Sequence, residues 1–526
     1  MKILIADAMS DKVVDILKSK KLDVDVKADL KKGELQAIIA RYDALVVRSA
    51  TKVTRDIIEK ADRLKVIGRA GTGVDNVDVE AATERGIVVM NAPQGNALAA
   101  AEHAVALMFA LARKISLADR TMKEGKWEKK LLMGVEVNGK TIGVIGIGNV
   151  GMIVAEKAVA LGMKVIAYDP YVPREVAVKK GIGLVSLRSL LSRSDFITVH
   201  VPMLKETKDL LNKDNLSNTK KGVFIINAAR GGIINEQDLY RAIEDGQVAG
   251  AALDVFEQEP PPKHHPLVVS EKVIATPHLG ASTTEAQRKV AIDIANQIAD
   301  YATKGVIKNS VNTPPVTVEL LARISPYLAL SEKLARFVSR ITEPPLKQVE
   351  IEYAGAIAEV ETTILTQSIV KSILSPHLEG VNYVNARLLA RMRGIKVKEI
   401  KEKEHDDFTT LLGIRIKGRK DENVAYGTLL GKKGPRLVRV NKISIDSELV
   451  GNVLFVVAVD RPGTVAGLGS RLAEKGINIA RINLSREREG GLVLCMIDID
   501  GEVDPGVLKD ISAVRNVIRT IRIDFR

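Results

Sequence analysis

The stretch Thr141-Ile-Gly-Val-Ile-Gly-Ile-Gly-Asn-Val-Gly151 decides the fold of this chain. Its apolar run, Ile142-Gly-Val-Ile145, reads as a strand, and Gly146, Gly148 and Gly151 then spell G-x-G-x-x-G. A helical pattern, Met152 to Leu161, follows the last of these glycines, and a second strand from Lys164 ends in Tyr168-Asp169. Asp169 lies 18 residues beyond Gly151, close to the ~20 of a dinucleotide-binding βαβ unit. Each part has a physical duty. Gly146 permits the tight turn, Gly148 lets backbone N–H groups approach a pyrophosphate, and Gly151 allows close helix–strand packing. The helix N-terminus adds positive potential. Asp169 accepts hydrogen bonds from a ribose diol and repels a 2′-phosphate, so the reading is NAD rather than NADP.

Outward from this unit the alternation of strand and helix continues. Toward the C-terminus, apolar runs recur at Phe196-Ile-Thr-Val199, Val223-Phe-Ile-Ile226, Ala251-Ala-Leu253 and Val273-Ile-Ala275. Toward the N-terminus they lie at Lys2 to Ala6, Ala44-Leu-Val-Val47, Leu64-Lys-Val-Ile67 and Ile87-Val-Val-Met90. Strands alternating with amphipathic helices indicate α/β architecture, with two doubly wound parallel sheets. The helical pattern from Glu285 to Lys304 is expected to pack back on the first sheet, making that unit discontinuous. Past Asn312-Thr-Pro-Pro315 the pattern changes. A mixed α+β unit runs to about Leu449, and from Asn452 the order is strand, helix, strand, strand, helix, strand, or βαββαβ.

Composition narrows the class. At 526 residues the chain has room for three or four domains. With 46% hydrophobic and 27% charged residues it is globular, and with 3% aromatics its cores are aliphatic. One cysteine excludes an intramolecular disulfide and a cysteine metal cluster, so no metal site is expected and the compartment reads as reducing, hence cytoplasmic. The stretch Ala97 to Leu111 is interrupted by Glu102 and His103 and is too short for a bilayer. A net charge of +13 favours anionic ligands. Spread over several domains with no recognisable nucleic-acid module, it gives no reason to expect nucleic-acid binding.

In a doubly wound sheet, chemistry gathers beyond the strand ends. The residues there are His200, Arg230, Asp254 with Glu259, and His278. Oxidising an alcohol by hydride transfer needs a base for the hydroxyl proton, and imidazole titrates near neutrality. A carboxylate beside it would orient it and raise its pKa. An arginine can clamp a substrate carboxylate with two hydrogen bonds. Arg230, Glu259 and His278 supply one of each, which points to a 2-hydroxy acid. Spacing leaves His200 open as the base, and Glu259 open as a mere surface acid. His103 reads as a packed or capping residue and His264 and His265 as solvated loop residues. Cys495 reads as a small core residue.

These motifs are joined by Val46-Val-Arg-Ser-Ala-Thr51, Gly68-Arg-Ala-Gly-Thr-Gly-Val-Asp-Asn76, Asn91-Ala-Pro-Gln-Gly-Asn96, Asn227-Ala-Ala-Arg-Gly-Gly232, Leu253-Asp-Val-Phe-Glu-Gln-Glu-Pro260 and Thr276-Pro-His-Leu-Gly-Ala-Ser-Thr283. Together they make residues 1 to about 312 resemble the D-isomer-specific 2-hydroxyacid dehydrogenases. The whole chain resembles that family's long form, which carries an intervening domain and an ACT regulatory domain. The resemblance implies a substrate domain over 1–97 plus 285–312, a Rossmann NAD domain over 98–284, an intervening domain over 313–449 and an ACT domain over 450–526. It implies NAD-dependent oxidation of 3-phospho-D-glycerate to 3-phosphohydroxypyruvate, the first step of the phosphorylated route to L-serine. A dehydrogenase for glycerate or 2-hydroxyglutarate is the nearest alternative, and an NAD-responsive regulator a more distant one.

The resemblance places the catalytic roles on Arg230, Glu259 and His278. It places cofactor contacts on Thr72, Asn149, Val150, Asp169, Val201, Ala228, Ala229, Arg230, Asp254, His278, Leu279, Gly280 and Ala281. Substrate contacts fall on Arg48, Ser49, Arg69, Gly71, Asn96 and Lys129. At Lys129 some relatives have an arginine that reaches the neighbouring subunit's substrate, and lysine keeps the charge without the fork. A homodimer or homotetramer is therefore implied. In the ACT unit, Asp460 and Asn478 stand where L-serine would bind as effector. Ala458 stands where serine-binding relatives commonly have a histidine, and Asp460 where they have an asparagine, which weakens that expectation.

Overall fold

The computed structural model describes residues 1–526 apart from 29, 32, 432 and 433. The apolar runs near the N-terminus pair in parallel, in the order Asp23–Val26, Lys2–Ile5, Ala44–Val47, Val66–Arg69, Val88–Met90. The chain reverses direction across this sheet between Lys2–Ile5 and Ala44–Val47, so Asp7 and Arg48 stand side by side at a topological switch point. The edge strand Asp23–Val26 was not anticipated. Its two aspartates in four residues are poor strand formers, and pairing with Lys2–Ile5 overrides that propensity. The helix Thr284–Lys304 lies on this sheet: Val290, Ala291, Ile294, Ala295 and Ile298 share a core with Ile3, Ile5, Val46 and Val66.

The second sheet has seven parallel strands: Val273–Ala275, Val248–Leu253, Val223–Asn227, Phe196–Val199, Thr141–Ile145, Lys164–Tyr168 and Gly183–Leu184. Its switch point falls between Thr141–Ile145 and Phe196–Val199, directly above the glycine turn. The helix Ala97–Ala112 leads from the first sheet to the second. It carries Ala101, Ala104, Leu107, Met108 and Leu111 into a core with Val154, Ala155 and Ala158. Small residues on both helices let the backbones approach closely.

The mixed unit is a six-stranded sheet in which Lys396–Glu402 runs parallel to Gln348–Gly355 and the later strands are antiparallel. The helices Val318–Ile341, Thr362–Leu374 and Ala386–Met392 accompany it. The last of these was not anticipated. The C-terminal unit has the expected βαββαβ order, with an antiparallel sheet ordered Ile479–Arg486, Leu492–Ile499, Asn452–Val459, Val517–Asp524. Its central strand serves two cores. Leu454, Val456 and Ala458 face the unit's own helices, whereas Val453 and Phe455 face Leu334 and Phe337 of the mixed unit. Because both faces are buried, the strand reads as a continuous apolar run. Among the described residues no helix is long and apolar enough to cross a membrane.

Candidate active site

The glycine turn is shaped for a dinucleotide. Gly146 has φ +86°, and a Cβ there would lie 2.6 Å from Val201 Cγ1. A Cβ on Gly151 would lie 1.9 Å from the Gly146 carbonyl oxygen, so helix Asn149–Ala160 can sit this close to the strand only with glycine there. Gly148 is different: a Cβ there would meet nothing within 4 Å. The protein leaves space at that point, and Asn149 and Val150 present the helix N-terminus beside it. Asp169, just past strand Lys164–Tyr168, accepts from Ile147 N–H at 3.0 Å and from Tyr171 N–H at 2.9 Å. Both bonds point its carboxylate along the mouth of the turn. These features fit NAD: a cradle for the pyrophosphate and an oriented acceptor for the ribose.

Arg230, Glu259 and His278 come together across that mouth. His278 Nδ1 is 2.8 Å from Glu259 Oε2, and Glu259 Oε1 accepts from Phe256 N–H at 3.1 Å. The hydrogen bond to Glu259 holds the imidazole above its ordinary pKa of about 6.5, with burial and the Arg230 charge acting in the other direction. Burial pushes the Glu259 carboxyl up, but His278, Phe256 N–H and Arg230 outweigh it and hold it low. Arg230 donates Nη1–H to its neighbour Ala229 O at 2.6 Å, on a turn set by Asn227, whose amide bonds Arg230 O and Ala229 N–H.

Asp254 anchors the His278 loop from beneath. It is 1% exposed, and it accepts from Thr276 Oγ1 at 2.6 Å, Leu279 N–H at 2.7 Å and Gly280 N–H at 2.8 Å. Burial pushes its carboxyl up, and the hydrogen bonds from His103, Thr276, Leu279 and Gly280 together hold it below the usual carboxylate range. His103, read from sequence as a packed or capping residue, has Nε2 3.1 Å from Asp254 Oδ1. It ties helix Ala97–Ala112 to the loop that carries His278. No local signal in the sequence reveals this link, because its partners lie 151 and 173 residues away.

Cations from the first sheet face Arg230. Arg48 follows strand Ala44–Val47, and Arg69 ends the paired strand Val66–Arg69. A Cβ on Gly71 would lie 1.6 Å from Arg69 Nη1, so Gly71 opens the space that Arg69 fills. Burial first, and then the facing Arg230, press the Arg69 guanidinium below the usual arginine range, and its Nε is buried without a partner among the described residues. Thr72 donates to Asn96 Oδ1 beside it, and Ser49 is exposed at the rim.

The fold gives surroundings to four further groups of residues singled out in the sequence. His200 is partly buried, with Nδ1 enclosed and Nε2 2.9 Å from Thr198 Oγ1, and burial lowers its pKa to about 4. It packs behind the glycine turn and, among the described residues, has no carboxylate partner, unlike His278. His265 is not solvated: its Nε2 is 3.0 Å from Glu236 Oε2, and its ring meets Phe256 edge-on. Asp460 pairs with Arg486 at 3.2 Å, and Asn478 bonds Asp500 at 2.7 Å. They lie at opposite ends of the C-terminal sheet, because Val459 pairs with Leu492 whereas Ile479 pairs with Ile499. That offset is roughly 23 Å, too far for one amino acid to touch both within one copy. Lys129 is exposed, on the same stretch as Trp127 and Met133, which are 79% and 78% exposed.

Comparison with known proteins gives consistent results. Residues 105–280 match the NAD-binding domain of the D-isomer specific 2-hydroxyacid dehydrogenases, 323–441 the D-3-phosphoglycerate dehydrogenase intervening domain, and 452–516 the ACT domain. The chain is 40% identical to the D-3-phosphoglycerate dehydrogenase of Archaeoglobus fulgidus, with 100% of both chains covered. It is 42% identical to that of Synechocystis, covering 98% of this chain and 93% of the relative. Among solved structures, D-lactate dehydrogenase from Aquifex aeolicus, complexed with NAD and lactic acid, covers 60% of this chain and all of its own, with 29% identity and a TM-score of 0.53.

Proposed function

We propose, from the premise that this chain belongs to the D-3-phosphoglycerate dehydrogenases, that Arg230, Glu259 and His278 carry its reaction. The chain oxidises 3-phospho-D-glycerate to 3-phosphohydroxypyruvate with NAD, the first step of the phosphorylated route to L-serine. With Nδ1–H given to Glu259, His278 keeps Nε2 as a free acceptor, which takes the proton of the C2 hydroxyl. Arg230 clamps the C1 carboxylate, and Arg69 and Arg48 meet the phosphate, with Ser49, Gly71 and Asn96 lining the route between them. The order Arg230, Arg69, Arg48 matches a substrate with an anion at each end and its hydroxyl between. Gly148, Asn149 and Asp169 would hold NAD, which would supply the acceptor for the C2 hydride. The single observation that carries the reading is the 2.8 Å His278–Glu259 bond beside Arg230.

We further assign 1–97 with 285–312 to the substrate domain, 98–284 to the NAD domain, 313–449 to the intervening domain and 450–526 to the ACT domain. The chain acts in the cytoplasm as a homodimer or homotetramer, supported by its single cysteine and by the exposed Trp127–Met133 stretch that carries Lys129. L-serine is the proposed effector. Because Asp460 and Asn478 are at opposite ends of one sheet, its site is built from the ACT units of two copies.

The test follows NADH formation with 3-phosphoglycerate, glycerate and 2-hydroxyglutarate in parallel, on wild type and Arg48→Ala. Wild type is expected to prefer 3-phosphoglycerate. Arg48→Ala is expected to raise KM for that substrate far more than for the other two. Equal losses on all three would make Arg48 a structural residue.

A further inference from the structure

Arg230 reaches the site from the NAD-binding sheet, and one of its contacts crosses to the other domain. Its Nε is 3.0 Å from Oδ2 of Asp75, 155 residues away in sequence on the loop after Val66–Arg69. We propose that Asp75 is a positioning residue for Arg230, fixing the guanidinium so that both terminal nitrogens face the substrate carboxylate. This rests on the reading of Arg230 as the carboxylate clamp.

Counting donors supports the assignment. A guanidinium has five N–H groups. Asp75 takes the one on Nε, and Ala229 O takes one on Nη1 at 2.6 Å. One N–H on Nη1 and both on Nη2 are left, and a carboxylate gripped by two parallel bonds needs one on each. The space is prepared too: a Cβ on Gly73 would lie 2.0 Å from Arg230 Nη2. The loop that supplies Asp75 thus also leaves the notch that Nη2 occupies.

Charge gives Asp75 a second task. Arg69 and Arg230 face each other closely enough for Arg230 to push the Arg69 guanidinium down, and Asp75 pulls it back up. The carboxylate therefore offsets the repulsion between two cations that one substrate must bridge. It also carries a negative charge into an anion site and competes with substrate for Arg230. Exposure decides between these effects. The Asp75 side chain is 70% exposed, so its long-range repulsion is screened by water and salt, while its hydrogen bond to Nε sets geometry at contact range. Orientation wins.

Steady-state kinetics of the full-length enzyme at saturating NAD, with NAD affinity measured by fluorescence titration, test this on Asp75→Ala, Asp75→Asn and Asp75→Glu. Small misplacements of a clamp are costly. Asp75→Ala is expected to raise KM for 3-phosphoglycerate at least ~10-fold and to lower kcat. NAD affinity should stay within about twofold, and the pH at which kcat/KM rises should not move, because the His278–Glu259 pair is untouched. Asp75→Asn keeps an oxygen acceptor at the same reach and is expected to lose less than Asp75→Glu, which keeps the charge but displaces it by a methylene. An Asp75→Ala enzyme with unchanged or lower KM would overturn the proposal, as would Asp75→Glu outperforming Asp75→Asn. The latter comparison decides if the alanine variant does not fold. Arg230→Ala separates the two layers of inference. If that variant turns over like wild type, the clamp reading itself falls; if it is inactive beside a fully active Asp75→Ala, only the role of Asp75 falls.

Discussion

His278 Nδ1 lies 2.8 Å from Glu259 Oε2, and the other oxygen of Glu259 is held at 3.1 Å by Phe256 N–H on its own loop. The carboxylate is therefore fixed before it fixes the imidazole, and its bond raises the His278 pKa above the ordinary 6.5. The sign of the pH effect follows. Oxidation uses the neutral imidazole, so kcat/KM with 3-phosphoglycerate should rise with pH through the His278 pKa, above pH 6.5. Glu259→Gln removes the raising partner, so the rising limb should move to lower pH while the plateau falls through lost orientation. A pH profile whose limb does not move would show that Glu259 does not govern the base.

Asp169 makes a second prediction. Its carboxylate is aimed by Ile147 and Tyr171 N–H groups, and ribose hydroxyls would complete its hydrogen bonds. Hydrogen bonds to charged groups contribute about 1.5–3 kcal/mol. Asp169→Ala should therefore weaken NAD by roughly 10- to 100-fold, while NADP, freed from repulsion, loses less or improves. Wild-type enzyme with equal kcat/KM for the two cofactors would contradict this role.

The glycines of the turn should separate folding from binding. Gly151→Ala places a Cβ 1.9 Å from the Gly146 backbone oxygen, and such overpacking costs about 1–3 kcal/mol or more. Gly148 has φ −70° and open space around a Cβ, so Gly148→Ala should fold with a near-normal melting temperature. It should nevertheless bind NAD poorly, because that open space is the one proposed for the pyrophosphate. Calorimetric melts with and without NAD decide the matter. Equal NAD stabilisation of wild type and Gly148→Ala would place the pyrophosphate elsewhere.

Much of this was legible in the sequence because it is written locally. The strand, glycine turn and acid of 141–169 form one contiguous unit, and alternating apolar runs announce parallel sheets. What stayed hidden depends on pairing between distant segments. Asp23–Val26 becomes a strand only through Lys2–Ile5, and the two-residue edge Gly183–Leu184 only through Lys164–Tyr168. His103 acquires a role only when Asp254 arrives, and Arg230 meets Asp75 only when two domains close on one crevice. His200 shows the converse. Its place after a strand makes it a candidate base, but the fold sets it behind the glycine turn against Thr198, apart from the His278–Glu259 pair, and no local pattern reports that.

The same non-local packing governs the C-terminal half. Phe337 of the mixed unit and Phe455 of the ACT unit meet edge-on with centroids 5.1 Å apart, inside one core that also holds Leu334, Met496 and Phe525. Around it, Arg336 Nη1 donates to Asp524 O at 2.6 Å, Arg519 Nη1 to Ile341 O at 2.8 Å and Lys333 Nζ to Leu449 O at 2.7 Å. Units joined by a shared core should unfold together. Phe455→Ala is expected to cost about 3–5 kcal/mol and to lower one common transition of residues 313–526. Truncation after Leu449 should likewise destabilise the mixed unit, because it bares Leu334 and Phe337. Hydrogen exchange read on both units along a thermal ramp would check this. An ACT unit that loses protection in Phe455→Ala while the mixed unit keeps its wild-type protection would show that the two cores are energetically separate.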